Sequence, residues 1–314
     1  MAVLRALIEN PQYTFMRGIA RFGLVRKAVT RVKQKLADVK SKDDERQILS
    51  AMGTSLFLET DRNSFLVDMQ NHGCAFGLRL PSRIIEAIAR YADSHPVFAF
   101  RDEKLGFLAR DRLAAESALG KEILLAQYFN SEHDCASIRE VAADPFLKWI
   151  ALKYLGTSPH FLGCNLWWTF PTKPIREDQL KHAHFFHRDI DDFRFVKFFF
   201  YLSDVQTGDG GHWIVRGSNC KSPHIRFRDH FVVRRFDDEE IRSFYSADDI
   251  LEVTGSKGTG FAEDTLCVHK AASPIRMPRL ILQLQFALFD LGVGGDRREP
   301  AQLEMIIRDP PAPV

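Results

Sequence analysis

Residues 184–205 of this chain read HFFHRDIDDFRFVKFFFYLSDV, a polar cluster followed by a long aromatic run. The run from residue 194 onward is rich in Phe, Val and Tyr, a composition that favours a β-strand. Side chains two apart in an extended chain point to the same side, so His187 and Asp189 share one face and Arg188 takes the other. The segment therefore predicts a strand that presents an imidazole and a carboxylate together.

Similar short runs, separated by Gly, Asp and Pro, occur on both sides of this segment. They are FLGCNLWWTF (161–170), GHWIVRG (211–217), GTGFAE (258–263), CVHKAA (267–272) and RLILQLQFALF (279–289). Their number and their regular breaks predict an antiparallel barrel or sandwich.

The first half of the chain has apolar residues at helical spacing instead. The predicted elements are helices over 82–93, 105–130 and 137–155, and a strand near 63–80. No linker rich in Pro, Ser or Gly divides the two halves. We therefore expect one domain over 46–314, with a helical layer over 46–158 and a strand-rich core over 159–290.

Residues 1–45 form an N-terminal extension of distinct character. Apolar residues at steps of three and four, from Ile19 to Leu36, alternate with Lys and Arg, which predicts an amphipathic helix with a basic face. Such a helix either packs on the domain with its basic side solvated or lies on an anionic membrane surface. Peripheral membrane contact through residues 16–40 therefore stays open as an alternative.

Composition limits the class of protein. A net charge of +2 over 314 residues gives no reason to expect nucleic acid as a partner. The five cysteines are scattered without a CxxC pair, as in a reduced cytoplasmic protein, and no apolar run approaches the length of a membrane helix. We predict a cytoplasmic location; the sequence does not indicate the oligomeric state.

A second histidine completes a candidate metal site. His269 in CVHKAA lies about eighty positions after the His187–Asp189 pair. Two histidines and one carboxylate that leave further coordination positions open suit non-haem iron(II). An HxD pair occurs by chance in many chains, so the spacing alone is weak, and its context carries the prediction.

That context consists of several motifs in a fixed order. HxD is followed by the strand run ending in LSDV, the turn TGDGG, the turn at Gly217-Ser218-Asn219, the distal His269 and, ten residues later, Arg279. This order resembles the phytanoyl-CoA dioxygenase family of Fe(II)/2-oxoglutarate oxygenases over roughly residues 160–290. The third residue of the 217–219 turn departs from the family, which has a histidine there, but that turn is not a metal ligand.

The resemblance implies a fold class and a chemistry. The fold would be α+β, a double-stranded β-helix (a jelly roll, as in cupins) with flanking helices that are mostly N-terminal. The chain would use Fe(II), 2-oxoglutarate and O2 to hydroxylate an unactivated C–H bond of a small-molecule, lipid, CoA or sugar-type metabolite, releasing succinate and CO2. His187, Asp189 and His269 would hold the metal, and Arg279 would bind the far carboxylate of 2-oxoglutarate.

Strand parity adds weaker candidates around Arg279. Gln283 and Gln285 share its face, and two glutamines beside an arginine indicate a polar pocket. Arg276 is closer to His269 but lies in a loop-like stretch, so Arg279 is preferred. On the preceding strands, Asn165 and Trp167 share a face that could contact cosubstrate or substrate. Lys197 and Phe200 cannot both face the cavity, and the family resemblance favours Phe200; His212 borders the pocket or has a structural role.

Two other function classes remain. A non-catalytic jelly-roll protein that binds a ligand would bind neither iron nor 2-oxoglutarate, and a cupin-type metal dioxygenase would not need Arg279. The substrate is not indicated. A basic cluster at Arg226, Arg228, Arg234 and Arg235 either receives an acidic substrate group or is a solvated strand edge.

Overall fold

The computed structural model describes residues 10–172, 185–219, 234–293 and 295–307. Within them, the helices are α1 Pro11–Ile19, α2 Gly23–Leu36, α3 Asp38–Ser50, α4 Arg62–His72, α5 Ser82–Ser94, α6 Arg112–Leu119, α7 Ser131–Asp134, α8 Ala136–Ala143, α9 Pro145–Leu155 and α10 Asp238–Phe244. The strands are β1 Cys74–Arg79, β2 Pro96–Ala99, β3 Gly106–Leu108, β4 Leu125–Tyr128, β5 His160–Thr169, β6 Phe195–Tyr201, β7 His212–Val215, β8 Ile250–Val253, β9 Thr259–Glu263, β10 His269–Ala271 and β11 Arg279–Ala287.

Two antiparallel sheets form the β core. The large sheet has the order β1-β9-β6-β11-β5-β4-β2-β3, and the small sheet has the order β10-β7-β8. An isolated antiparallel bridge between His187 and His269 attaches the HxD segment to the edge of the small sheet, next to β10. The predicted α+β jelly-roll fold is confirmed.

Alternate residues of β11 serve two different layers. Leu280, Leu282, Leu284 and Phe286 are buried in the main apolar core with side chains of the helices, including α5 and α9. Burying a side chain of this size stabilises the fold by roughly 1.5–3 kcal/mol. The other face of β11 points towards the small sheet. One face of this strand therefore packs in the apolar core, and the other lines the space between the two sheets.

The helical half differs from the prediction in three places. The segment 105–130 is β3, α6 and β4 rather than one helix, because pairing of β4 with β5 outweighs local helix propensity. The predicted helix over 137–155 is divided at Asp144, whose carboxylate accepts hydrogen bonds from Phe146 N and Leu147 N and so caps a new helix. Near 63–80 a helix precedes the strand. Four strands of the large sheet thus come from the first half.

The N-terminal segment lies against the domain. Its helical pattern is interrupted at residues 20–22, giving α1 and α2. Gln34 Nε2 donates to Leu155 O over 2.7 Å, and the Lys33 ammonium lies 4.7 Å from the centre of the Phe289 ring. The predicted boundary after residue 45 falls inside α3, and the division into an extension and a domain stays a prediction. No helix in the described ranges is both long and apolar enough to cross a membrane.

Candidate metal centre and cavity

Backbone pairing brings the two histidines together. His187 N donates to His269 O over 2.9 Å and His269 N donates to His187 O over 3.0 Å, so the two residues are directly opposite and share a face. Their ring centroids are 4.3 Å apart. Asp189, two residues further along, points to the same side. One ligand atom from each of the three residues lies within 4.8 Å of the others.

The hydrogen bonds of the imidazoles set their tautomers. His187 Nδ1 lies 2.9 Å from Phe185 O, and His269 Nδ1 lies 3.0 Å from Cys267 O. A carbonyl oxygen only accepts, so each Nδ1 carries the proton and each Nε2 keeps its lone pair. These Nε2 atoms lie 3.5 Å (His187) and 3.7 Å (His269) from the Asp189 carboxylate. This orientation is typical of metal-binding histidines.

The protonation states also suit a cation. Burial, with the adjacent His187 adding to it, lowers the pKa of His269 to about 3, so the imidazole is neutral at physiological pH. Burial alone would raise the pKa of Asp189, but the Lys197 ammonium and the two imidazoles bring it well below its usual range. The site therefore offers two imidazole nitrogens and one carboxylate, a donor set that fits ferrous iron.

Lys197 holds the acidic segment in place. Its Nζ lies 2.7 Å from an Asp189 oxygen and 2.8 Å from an Asp191 oxygen, and the side chain is buried. Burial opposes the charge of the ammonium, but the two carboxylates raise the pKa of Lys197 above its ordinary value. One oxygen of Asp189, Oδ1, is not engaged by this lysine.

A second layer supports His269. The ring of His212 stacks on it with centroids 5.4 Å apart and planes inclined by 15°. His212 Nε2 lies 2.7 Å from Glu263 Oε2, and burial raises the pKa of Glu263 well above its usual range. His212 was an undecided candidate from sequence. Glu263 was not a candidate, and nothing in GTGFAE distinguishes it from an outward-facing strand residue.

A cavity of about 290 Å³ between the sheets contains the three candidate metal ligands. Its walls include the predicted residues Arg279, Gln283, Gln285, Asn165 and Trp167, as strand parity indicates. Asn165 Oδ1 accepts a hydrogen bond from Gln127 Nε2 over 2.8 Å. The cavity is thus formed largely by β11 and β5 on one side and by His212 and His269 on the other.

Phe200 was placed wrongly. Lys197 and Phe199 line the cavity, and Phe200 lies on the opposite face of β6, where its ring stacks on Phe57 at 5.6 Å. The alternation along β6 is regular, so a lysine within an otherwise apolar strand was the signal that identifies the inward face.

Arg279 is a buried cation without an acidic partner. It is 1% exposed, donates through Nη1 to Gly210 O and lies 3.2 Å through Nη2 from Thr169 Oγ1. Its Nε atom is buried without a hydrogen-bond partner, and no carboxylate of the described residues lies within 4.0 Å. Arg276, the rival, forms a surface ion pair with Asp209 at 3.1 Å. Arg279, rather than Arg276, is therefore available to an anion in the cavity.

A larger cavity of about 640 Å³ lies between α2 and the segment around Arg188 and Arg194. It is lined by many basic side chains and by Asp264. Among the described residues, the only set that could hold a metal through histidine and carboxylate groups lies in the smaller cavity. Residues Arg226 and Arg228 of the predicted basic cluster lie outside the described residues, and Arg234 forms an ion pair with Glu240.

Comparison with known proteins gave structural matches only. No family model matches the sequence, and no curated protein matches it. Among solved structures, HygX from Streptomyces hygroscopicus, with nickel, 2-oxoglutarate and hygromycin B bound, matches with a TM-score of 0.50 and 13% identity over 71% of this chain and 86% of that chain. EctD from S. alaskensis with bound Fe gives 0.48 and 16% over 72% and 76%. AviO1 from Streptomyces viridochromogenes gives 0.47 and 15% over 72% and 95%. At these identities the likeness establishes the fold and nothing further.

Proposed function

We propose that this chain is a non-haem Fe(II)/2-oxoglutarate-dependent dioxygenase, of the phytanoyl-CoA dioxygenase type, that hydroxylates a C–H bond of a small-molecule metabolite. One observation carries the proposal: a single cavity contains two groups of residues. The first is His187, Asp189 and His269, and the second is the buried guanidinium of Arg279, which has no acidic partner among the described residues. A metal site needs only the first group. The second group is explained by an anionic cosubstrate.

His187 and His269 would hold the metal through Nε2, because both Nδ1 atoms are engaged by backbone carbonyls. Asp189 would supply the third ligand while Lys197 fixes its other oxygen. When bound, ferrous iron with 2-oxoglutarate and O2 supplies the oxidising power for C–H hydroxylation, with release of succinate and CO2. These protein groups would bind and orient the metal and its cosubstrate.

Arg279 would bind the distal carboxylate of 2-oxoglutarate. An unpaired guanidinium in a buried site costs stability unless an anion neutralises it, and carboxylate geometry matches its fork of donors. Phe199, Trp167 and Ile281 contribute apolar wall to the cavity. We infer that this wall shields the reacting centre from water and limits oxidation of other groups. The fold shared with HygX, whose structure holds nickel and 2-oxoglutarate, is compatible with this assignment.

The test separates cosubstrate binding from metal binding. The full chain is loaded anaerobically with Fe(II), and 2-oxoglutarate affinity is measured for the wild type, Arg279→Gln and the surface control Arg276→Gln. We expect Arg279→Gln to weaken 2-oxoglutarate binding by about 100-fold or more while metal affinity is kept, because the variant loses a charge-assisted bidentate pair. Arg276→Gln should match the wild type.

Candidate substrates are then added with O2, and succinate release is followed. Substrate-dependent succinate together with a hydroxylated product supports the proposal. A chain that binds iron but not 2-oxoglutarate would instead be a metal dioxygenase of the cupin type, and a chain that binds neither would be a ligand-binding jelly roll. Action on a soluble metabolite in the cytoplasm is part of the same proposal.

A further inference from the structure

A second arginine, Arg101, lines the same cavity from a separate wall. It lies in the turn between β2 and β3, and part of the residue is exposed to solvent. No hydrogen bond, ion pair or ring contact of its guanidinium occurs among the described residues, whereas Lys197 in the same cavity is paired twice. Burial of the guanidinium lowers the pKa of Arg101, and the Asp189 carboxylate opposes this shift.

The backbone at this position has an unusual conformation. Phe100 and Arg101 have φ values of +55° and +63°, in the left-handed region that non-glycine residues rarely adopt. Phe100 N donates to Leu125 O over 2.8 Å, and Asp102 N donates to Ala99 O over 3.0 Å, so hydrogen bonds hold the turn in this form. Strained residues that the surrounding structure holds in place occur most often at binding sites.

Arg101 and Arg279 enter the cavity from backbone positions that lie three strands apart in the large sheet. The Phe100 amide bonds to Leu125 on β4, Leu125 pairs with Thr169 on β5, and Thr169 pairs with Arg279 on β11. Three strand spacings correspond to about 14 Å. This distance of about 14 Å separates the two backbones, and two guanidinium groups that enter from separate walls suit two separate anionic groups.

The charges in the cavity lead to the same result. Among the described residues, the charged side chains that line it are Arg101, Lys197 and Arg279 on the positive side and Asp189 and Asp191 on the negative side. Lys197 and Arg279 balance the two aspartates, and a divalent metal is balanced by dianionic 2-oxoglutarate. One positive charge, that of Arg101, remains after the proposed cofactors are in place.

We propose that Arg101 binds an acidic group of the substrate itself, a carboxylate, phosphate or sulfonate, and so selects anionic molecules for oxidation at the metal. This inference rests on the proposed function for the identity of the other two ligands. The apolar side chains of Leu125, Trp167 and Phe199, which line the cavity with Arg101, would receive the uncharged body of such a substrate.

The experiment uses two probes that differ only in charge, phenylacetate and phenylacetamide. Full-length protein loaded with Ni(II) and saturating 2-oxoglutarate is titrated with each probe by calorimetry. We expect the wild type to bind phenylacetate at least about tenfold more tightly than phenylacetamide, as a hydrogen-bonded ion pair predicts. Arg101→Asn removes the charge with a residue that tolerates the left-handed conformation, and it should abolish the preference.

Two controls distinguish binding of an anion by Arg101 from a purely structural role of this residue. Arg90→Gln replaces an exposed arginine on α5, away from the cavity, and should behave as the wild type. The affinity of Arg101→Asn for 2-oxoglutarate should stay within about twofold of the wild type, because Arg279 carries that contact. Its thermal unfolding temperature should be equal or higher, since Asn relieves strain at a positive φ.

Three results would overturn the inference: no preference for phenylacetate in the wild type, a preference that persists in Arg101→Asn, or an equal loss of 2-oxoglutarate affinity in that variant. The last result would assign Arg101 to the cosubstrate. If the wild type binds neither nickel nor 2-oxoglutarate, the proposed function fails. In that case the same two probes are titrated into the metal-free wild type and Arg101→Asn. A preference for phenylacetate that depends on Arg101 would still show that Arg101 binds an anion.

Discussion

The two faces of β11 show how one strand separates stability from chemistry. Towards the helices it presents Leu280, Leu282, Leu284 and Phe286, all buried among apolar neighbours. Towards the cavity it presents Arg279, Ile281, Gln283 and Gln285, three of which are polar. Burial of the first face stabilises the fold. The second face instead contains polar atoms, such as Arg279 Nε, that have no hydrogen-bond partner among the described residues. The unsatisfied face is therefore where a ligand is expected.

The same division continues on β6. Phe198 and Phe200 belong to the core beneath the helices, and Lys197 and Phe199 line the cavity. Buried polar groups on the inner face lower stability unless they are paired, and the apolar outer face compensates for that cost. Substitutions on the two faces should thus have opposite signatures: loss of binding with the fold intact, or loss of stability with binding intact.

The largest effect is expected for the metal ligand on the cavity face. Asp189→Ala should weaken Fe(II) or Ni(II) binding by more than about 100-fold, since the loss of a direct ligand exceeds the effect of losing a supporting group. The fold should persist because Lys197 keeps Asp191 as a partner at 2.8 Å. Metal titration and thermal unfolding of the same samples measure both quantities.

A surface carboxylate provides the control for that experiment. Asp43→Ala removes an acid from α3 whose ion-pair partner among the described residues is the exposed Arg46, so metal affinity should not change. If Asp189→Ala bound metal as tightly as Asp43→Ala, the three-residue site would be incorrect. If Asp189→Ala failed to fold, the division between the two faces would be incorrect at this position.

Adjacent residues on β11 give the most direct comparison of the two faces. Leu282→Ala should lower the free energy of unfolding by about 2–5 kcal/mol, because it leaves a cavity beside the helices, and it should leave metal affinity unchanged. Gln283→Ala, one residue away on the other face, should change unfolding by less than about 1 kcal/mol. Denaturant unfolding measures the difference, and equal losses in the two variants would contradict the assignment of faces.

The sequence predicted those parts of the site that depend on local rules. Period-two alternation placed Arg279, Gln283 and Gln285 on one face, and the HxD spacing placed His187 and Asp189 together. Alternation also excluded Lys197 and Phe200 from sharing a face, but it could not tell which of them is inward. That choice depends on which side the helices cover, a tertiary property.

Other parts depend on contacts that no local pattern specifies. Glu263 becomes important only because β9 lies two strands from β11 and brings its carboxyl beside His212. Arg101 lines the cavity from a turn with positive φ, which the sequence FRDE does not indicate. The strands at 96–99 and 125–128 form within the helical half because they extend a sheet whose centre is distant in sequence.

Asp192 lies where the two faces meet. It follows the metal-ligand segment, and its carboxylate accepts hydrogen bonds from Phe193 N over 2.6 Å and from Phe289 N, just beyond the end of β11, over 2.8 Å. The side chain is fully buried. Burial raises the pKa of Asp192 to about 6, and the hydrogen bonds only partly oppose this shift.

The smallest predicted effect is a pH dependence from this residue. Because the pKa is raised above its unfolded value near 4, the fold favours the protonated form, and stability falls as pH rises from about 4 to about 6. Asp192→Asn cannot titrate, so its free energy of unfolding relative to the wild type should rise over that interval by up to about 3 kcal/mol and then level off. Urea unfolding of both proteins between pH 4 and pH 7 measures the difference, in which contributions from other groups, such as the similarly shifted Asp296, cancel. A difference that stays constant with pH would mean that Asp192 titrates normally, and that the junction between the faces is open to water.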